Sequence, residues 1–264
     1  MGYQAILFDQ HEHVAVLTLN RPERLNAISP DLRDEVHQAV EAAREDDDVR
    51  ALIITGAGRG FCSGVDLTGV RPPDPAGPQN DRLDELGWVG RWAKRFFYFD
   101  KPLIAAVNGV AAGAGMSMAL AADLRVGSAN TRFKAAFVER SLSPDSGLSY
   151  FLPRVVGYAR AADLIFTSRA VDADEAWRLG LIDRLVAPEA LIEEAVKLAG
   201  EMTQWPPLAL RASKRVLQHN VQAEFETAIK YESVGLGYAR RAPNDARESL
   251  LAFTEKRKPK YTGG

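Results

Sequence analysis

A chain of 264 residues is long enough for one large α/β domain with an appendage, and 46% hydrophobic with 26% charged residues is an ordinary enzyme composition. A net charge of −2 excludes a global basic field that would draw the chain to nucleic acid or an anionic membrane, so a phosphate-bearing ligand needs a local group of Lys and Arg. The single cysteine, Cys62, excludes an intrachain disulfide framework and fits a reducing compartment.

The first residues, MGYQAILFDQ, lack the basic-then-apolar order of a signal peptide, and Ile6 breaks the myristoylation pattern. No apolar run approaches the ~18 residues that span a bilayer. These features predict a cytoplasmic protein with no membrane partner. Residues 3–9 and 13–19, apolar around His11-Glu12-His13, predict a hairpin. A helix is predicted from Pro30, capped by Ser29, with Leu32, Val36, Val40 and Ala43 on one face. Asp46-Asp47-Asp48 ends it as a solvated loop, without the spacing of a calcium site.

Ala51 to Thr55 reads as a buried strand with a Gly-rich turn at 56–60, and Pro102 to Val107 as another, followed by small residues from Asn108 to Gly115. Met116 to Ala122 reads as a helix and Leu124 to Val126 as a strand. The sequence strand, Gly-rich turn, helix thus occurs twice, which predicts stacked ββα turns in a spiral rather than one Rossmann sheet. The Pro-rich stretch 71–81 predicts a mobile loop bordering the ligand site, and 82–99 a helix. After Pro188 helices are expected at 189–204, 207–218, about 221–241 and 244–255. Pro206-Pro207 sets a boundary between a core at 1–205 and a C-terminal helical segment at 206–264 that packs on a neighbouring subunit.

Several chemistries fail on their residues. The turn at 56–60 lacks the third glycine of a dinucleotide fingerprint, since Phe61 stands there. Ser63 is not in a nucleophile elbow, and Cys62 reads as a small core residue. His11, His13, His37 and His219 have no metal-ligand spacing, so no metal is expected. What remains is a pair of small-residue turns, Phe61 to Leu67 and Lys101 to Gly115, each placed ahead of a helix. Free N–H groups at a helix start suit an oxyanion, and small side chains let a carbonyl approach. For either turn alone, close packing would be the default explanation.

Together, ITGAGRGFCSGVDL (54–67) and KPLIAAVNGVAAGAG (101–115) resemble the crotonase, or enoyl-CoA hydratase/isomerase, superfamily. The resemblance runs through Asn20-Arg21-Pro22, Leu25-Asn26-Ala27, Leu152-Pro153-Arg154, ADEAWRLGL (173–181) and Lys256-Arg257-Lys258-Pro259. It implies a crotonase-like spiral with a helical C-terminal trimerisation segment, assembled as a homotrimer or dimer of trimers. It implies an acyl-CoA partner, coenzyme A being part of the substrate and no further cofactor being needed. The thioester oxygen would be held by the backbone N–H groups of Ser63 and Ala114. CoA contacts would fall at Arg24, Leu25 and Ala27, at Asp66 and Leu67, and at Phe253 and Lys256, the last from an adjacent helix or subunit.

The resemblance also bears on the reaction. The two glutamates of the hydratases align with Ser117 and Phe137, neither of which is a base. An acid does stand at Asp145, in LSPDSG. By itself it reads as a helix N-cap. The chain resembles in particular the 1,2-epoxyphenylacetyl-CoA isomerase type, which carries an acid at this place and shares VAAGAG and the closing FTEKRKPKYTG. That implies Asp145 as catalytic residue in a double-bond isomerisation. Glu139 is expected to point away as a surface or salt-bridged residue. A hydratase using Asp145 with a bound water and a non-catalytic acyl-CoA-binding protein are the alternatives.

Overall fold

The computed structural model describes residues 2–69 and 78–264. The hairpin forms as expected: β1 (Ile6–His11) pairs antiparallel with β2 (Val14–Leu19), with Glu12 at φ +51° in the turn. Helix α1 (Pro30–Glu45) starts at Ser29, whose Oγ accepts the Leu32 N–H at 3.2 Å, and it buries Leu32, Val36, Val40 and Ala43.

The chain then passes three times from a large sheet to a small one. It runs from β3 (Ala51–Gly56) to β4 (Gly60–Cys62). Beyond α2 (Gln79–Arg82) and α3 (Gly87–Phe97) it runs from β5 (Leu103–Val107) to β6 (Val110–Ala112) and into α4 (Ala114–Ala121). The third pass joins β7 (Leu124–Ser128) to β8 (Arg132–Lys134). Helices α5 (Leu148–Val156) and α6 (Tyr158–Thr167), strand β9 (Ala170–Val171), α7 (Ala173–Leu179) and β10 (Arg184–Val186) complete this part. The large sheet has the order β1-β2-β3-β5-β7-β10, parallel except for the hairpin; the small one is β4-β6-β8-β9. Stacked ββα turns are what the sequence pattern predicted. Of the loop expected at 71–81, residues up to 77 lie outside the described residues. The helix expected over 82–99 is shorter, since Asp84 accepts the Leu86 and Gly87 N–H groups and starts α3 only at Gly87.

Side-chain alternation sorts the large sheet's two faces. Leu17, Leu52, Ile54, Leu103 and Ala105 point toward the small sheet and α4. Val16, Ile53, Ile104, Ala106 and Val126 point the other way and are covered by α8 (Leu191–Thr203). Beyond it come α9 (Pro207–Asn220), α10 (Phe225–Ala239) and α11 (Pro243–Glu255). Charge fastens α9 to the core. Lys214 Nζ donates to Asp123 at 2.7 Å and to the Lys101 carbonyl at 2.9 Å, and Arg211 and Arg215 both bind Asp100.

One close approach sets the position of α4. A Cβ added to Gly115 would lie 2.1 Å from the Cys62 carbonyl oxygen, which is backbone and cannot swing aside. Gly115→Ala should therefore destabilise by about 2–3 kcal/mol, read as a lowered denaturation midpoint at unchanged m-value.

Candidate active site

The site is a cavity of about 280 Å³ between the two Gly-rich turns. One wall is Arg24, Ala27 and the run Ser63 to Leu67; the other is Gly113, Ala114, Ala136, Phe137, Arg140, Leu142 and Asp145. The structure thus brings together Arg24, Ala27, Ser63, Asp66, Leu67, Ala114 and Asp145, residues the sequence spreads over more than a hundred positions.

The first wall is built on Asn26, whose side chain is fully buried. Its Oδ1 accepts the Arg21 N–H at 2.9 Å, and its Nδ2 donates to the carbonyls of Ala57 at 3.0 Å and Gly60 at 2.7 Å. This ties the 21–27 turn to the turn between β3 and β4. Asn26→Ala strands those groups and should cost about 3 kcal/mol, measured by chemical denaturation. Leu25 does not line the cavity. It sits at φ +50° and packs against Gly60, and its carbonyl accepts a backbone N–H from the neighbouring turn.

That N–H belongs to Ser63, at 3.0 Å, which counts against Ser63 as the expected oxyanion donor. Ser63's amide is committed to Leu25. Ile28 runs parallel to Val65, giving its N–H to Gly64 O at 2.7 Å and taking one from Asp66 at 3.1 Å. In a parallel bridge of this kind the residue between those two bonds turns its own N–H to the opposite side. The Val65 N–H accordingly has no acceptor among the described residues, and Val65 lines the cavity.

The second turn supplies its partner. Gly113, at φ +52°, gives its N–H to Lys134 O at 3.0 Å and turns the chain into α4. Ala114 is the first residue of that helix, two residues earlier than the apolar pattern suggested, so its N–H lacks an intrahelical acceptor. The turns touch: a Cβ on Gly64 would be 2.9 Å from Ala112 O and 3.6 Å from the Ala114 nitrogen.

Two carboxyls line the cavity and their environments push them apart. Asp66 accepts from the Thr68 hydroxyl at 2.6 Å and its amide at 3.1 Å, and pairs with Arg21 at 3.0 Å. Chiefly those Thr68 bonds, then Arg21, hold it at about 2, so it is a fixed anion. Asp145 is half-buried, and burial raises its carboxyl above the usual carboxylate range. Its Oδ1 is buried without a hydrogen-bond partner among the described residues. The bland reading as a helix cap fails here, because α5 begins after Gly147 and takes no side-chain cap; only the Asp145 carbonyl serves it, accepting the Leu148 N–H at 2.9 Å.

The remaining expectations sort cleanly. Ser117 is buried with its hydroxyl on the Gly113 and Asp145 carbonyls, and Phe137 gives the cavity an apolar wall. Glu139 is exposed and paired with Lys134 at 2.6 Å, as expected. Cys62 is buried, which pushes its thiol up to about 12, as suits a core residue. Phe253, 86% exposed, and Lys256, which ends α11, do not line the cavity within one chain.

A sequence model of the enoyl-CoA hydratase/isomerase family matches residues 9–264, nearly the whole chain. The chain belongs to this family. Its relatives include a crotonyl-CoA hydratase of Syntrophomonas wolfei, 35% identical with 99% of each chain covered. A 1,2-epoxyphenylacetyl-CoA isomerase of Escherichia coli is 36% identical over 98% of each. Among solved structures, an enoyl-CoA hydratase from Bacillus anthracis superposes with a TM-score of 0.90 at 29% identity, covering 99% of this chain and 100% of its own. The protein is thus an enzyme of the crotonase superfamily, and its relatives carry both hydratase and isomerase names.

Val65, Ala136, Arg140 and Leu142 are among the cavity residues that sequence reasoning did not single out. For Val65 the only signal is a pairing with Ile28, across 37 positions, that local sequence does not encode.

Proposed function

We propose that this enzyme moves a double bond within an acyl-CoA thioester, using the backbone N–H groups of Val65 and Ala114 as oxyanion hole and Asp145 as a single proton shuttle. The observation that carries this reading is the contrast between the two cavity carboxyls. Asp66 is locked as an anion, while Asp145 is half-buried, without a partner among the described residues, and raised in proton affinity.

The steps balance without a co-reactant. The thioester oxygen of a 3-enoyl-CoA accepts both N–H bonds, each worth about 3 kcal/mol to the developing oxyanion. Asp145 removes a proton from C2, the electron pair delocalises into a dienolate, and the same proton returns to C4 as the double bond shifts to C2–C3. Ser117 and Phe137 offer no second carboxylate to activate water. Arg24 and the Asp66–Leu67 edge would contact the CoA portion, so coenzyme A enters with the substrate and no separate cofactor is needed. The exposed Leu217, Val221, Phe225, Leu250 and Phe253 of the C-terminal helices support assembly as a homotrimer or dimer of trimers, with Phe253 and Lys256 reaching the CoA of an adjacent subunit. A cytoplasmic location accords with the lone buried Cys62.

The second reading is hydration of a 2-enoyl-CoA through Asp145 and a water, favoured by relatives named as hydratases. Purified enzyme should be given 3-hexenoyl-CoA and crotonyl-CoA in parallel. We expect formation of the 2-enoyl product from the first; 3-hydroxybutyryl-CoA from the second, with no shift in the first, replaces isomerisation by hydration.

A further inference from the structure

The cavity carries a second arginine that the steps above do not use. Arg140 ends the 3₁₀ turn Val138–Arg140 and lines the cavity beside Phe137, Leu142 and Asp145. Among the described residues its exposed side chain has no carboxylate within 4.0 Å and makes no hydrogen bond. Nearby acids are already engaged: Glu139 by Lys134 at 2.6 Å, and Asp66 across the cavity by Arg21 at 3.0 Å.

Its place relative to the thioester follows from the two walls. With the carbonyl between Val65 and Ala114, the CoA portion leaves along Arg24 and the Asp66–Leu67 edge. The acyl chain must then extend along the opposite wall, past Phe137 and Leu142. That wall is apolar except for Asp145 and Arg140, so an aliphatic chain that clears Phe137 meets a permanently charged, planar donor fork at its far end. Such a fork matches a carboxylate.

We propose that Arg140 selects thioesters whose acyl chain ends in a second carboxylate, that is, dicarboxylic mono-CoA esters. This rests on the thioester position proposed above. It is tested by binding rather than turnover, using saturated ligands in which no double bond can move. Calorimetric titration with adipoyl-CoA and suberoyl-CoA should be set against hexanoyl-CoA and octanoyl-CoA of equal length. At one of the two lengths the dicarboxylic ester should bind about tenfold tighter or more. In Arg140→Leu that ratio should fall to near one, and Arg140→Lys should lie between. A wild-type ratio near one at both lengths overturns the proposal. So does an unchanged ratio in Arg140→Leu, and if both series weaken together the guanidinium belongs to the CoA phosphates instead. Isomerisation of 3-hexenoyl-CoA, followed alongside, separates the two readings. Its absence with the ratio intact would overturn the isomerase and leave the assignment of Arg140 standing.

Discussion

Asp145→Asn is expected to lower turnover of 3-hexenoyl-CoA by roughly 10²–10⁴-fold, the range for loss of a general base. Binding of a saturated acyl-CoA should persist, because the amide is isosteric and leaves both backbone N–H groups in place. The same variant makes an opposite prediction for stability. Burial raises the Asp145 carboxyl above its ordinary value, so the folded protein holds that proton more tightly than the unfolded chain. The stability this contributes is full below the unfolded pKa and is lost as pH rises through the higher folded one. Once ionised, the group, with Oδ1 buried and without a partner among the described residues, weighs against folding. Asn cannot ionise, so Tm should be higher than wild type at pH 7, and the gap should close toward acid pH. The acid limb of kcat/KM should likewise lie above the usual aspartate range. Near-wild-type turnover would remove Asp145 from the chemistry, and a lower Tm at pH 7 would show its carboxylate to be structural.

The expected combination, a residue that stabilises when neutralised and yet is needed ionised for the proposed step, would be a stability–function trade-off in one side chain. The sequence does not encode it locally. LSPDSG reads as a cap because Asp before Ser-Gly is a good one, and only the start of α5 after Gly147 frees the carboxylate. The elements with strong local signals were legible: α1, from Ser29 and the spacing of Leu32, Val36, Val40 and Ala43, and the buried runs that became β3 and β5. The strands of the small sheet, two or three residues each, were not, since an apolar triplet such as Val110–Ala112 carries no period to read. The cavity was legible through motif resemblance, down to Arg24, Ala27, Asp66, Leu67 and Ala114. In the first turn the proposed oxyanion donor lies two residues from the expected one, for a physical reason. Which amide of Ser63 to Asp66 is free depends on Leu25 and Ile28 pairing with that turn, and hydrogen bonding across such a separation leaves no local trace.

Deleting single backbone N–H groups would separate the two assignments of that donor. Replacing Val65 by the corresponding α-hydroxy acid exchanges its amide for an ester and removes the N–H while keeping the side chain. The donor to the thioester oxygen is then lost, and kcat should fall by roughly 10²–10³-fold. Folding should change little, since Val65's N–H has no acceptor within the described chain and the bonds to Ile28 run through Gly64 O and the Asp66 amide. The ester does weaken Gly64 O as an acceptor, because the adjoining linkage is the one altered, so a loss of a few tenths of a kcal/mol is allowed for. The same exchange at Ser63 has the reverse profile. It removes the 3.0 Å bond to Leu25 O, which should cost about 1 kcal/mol of stability, and leaves the hole intact. Rate loss at 65 with stability loss at 63 supports the reassigned pair. The opposite pattern would return the donor to Ser63 and require the Leu25 bond to break when substrate binds. In the proposed mechanism Asp145 and the hole act on one enolate, so combining the Val65 ester with Asp145→Asn should cost less than the product of the two separate losses. Full multiplicativity would mean that the carboxylate and the amide serve different steps.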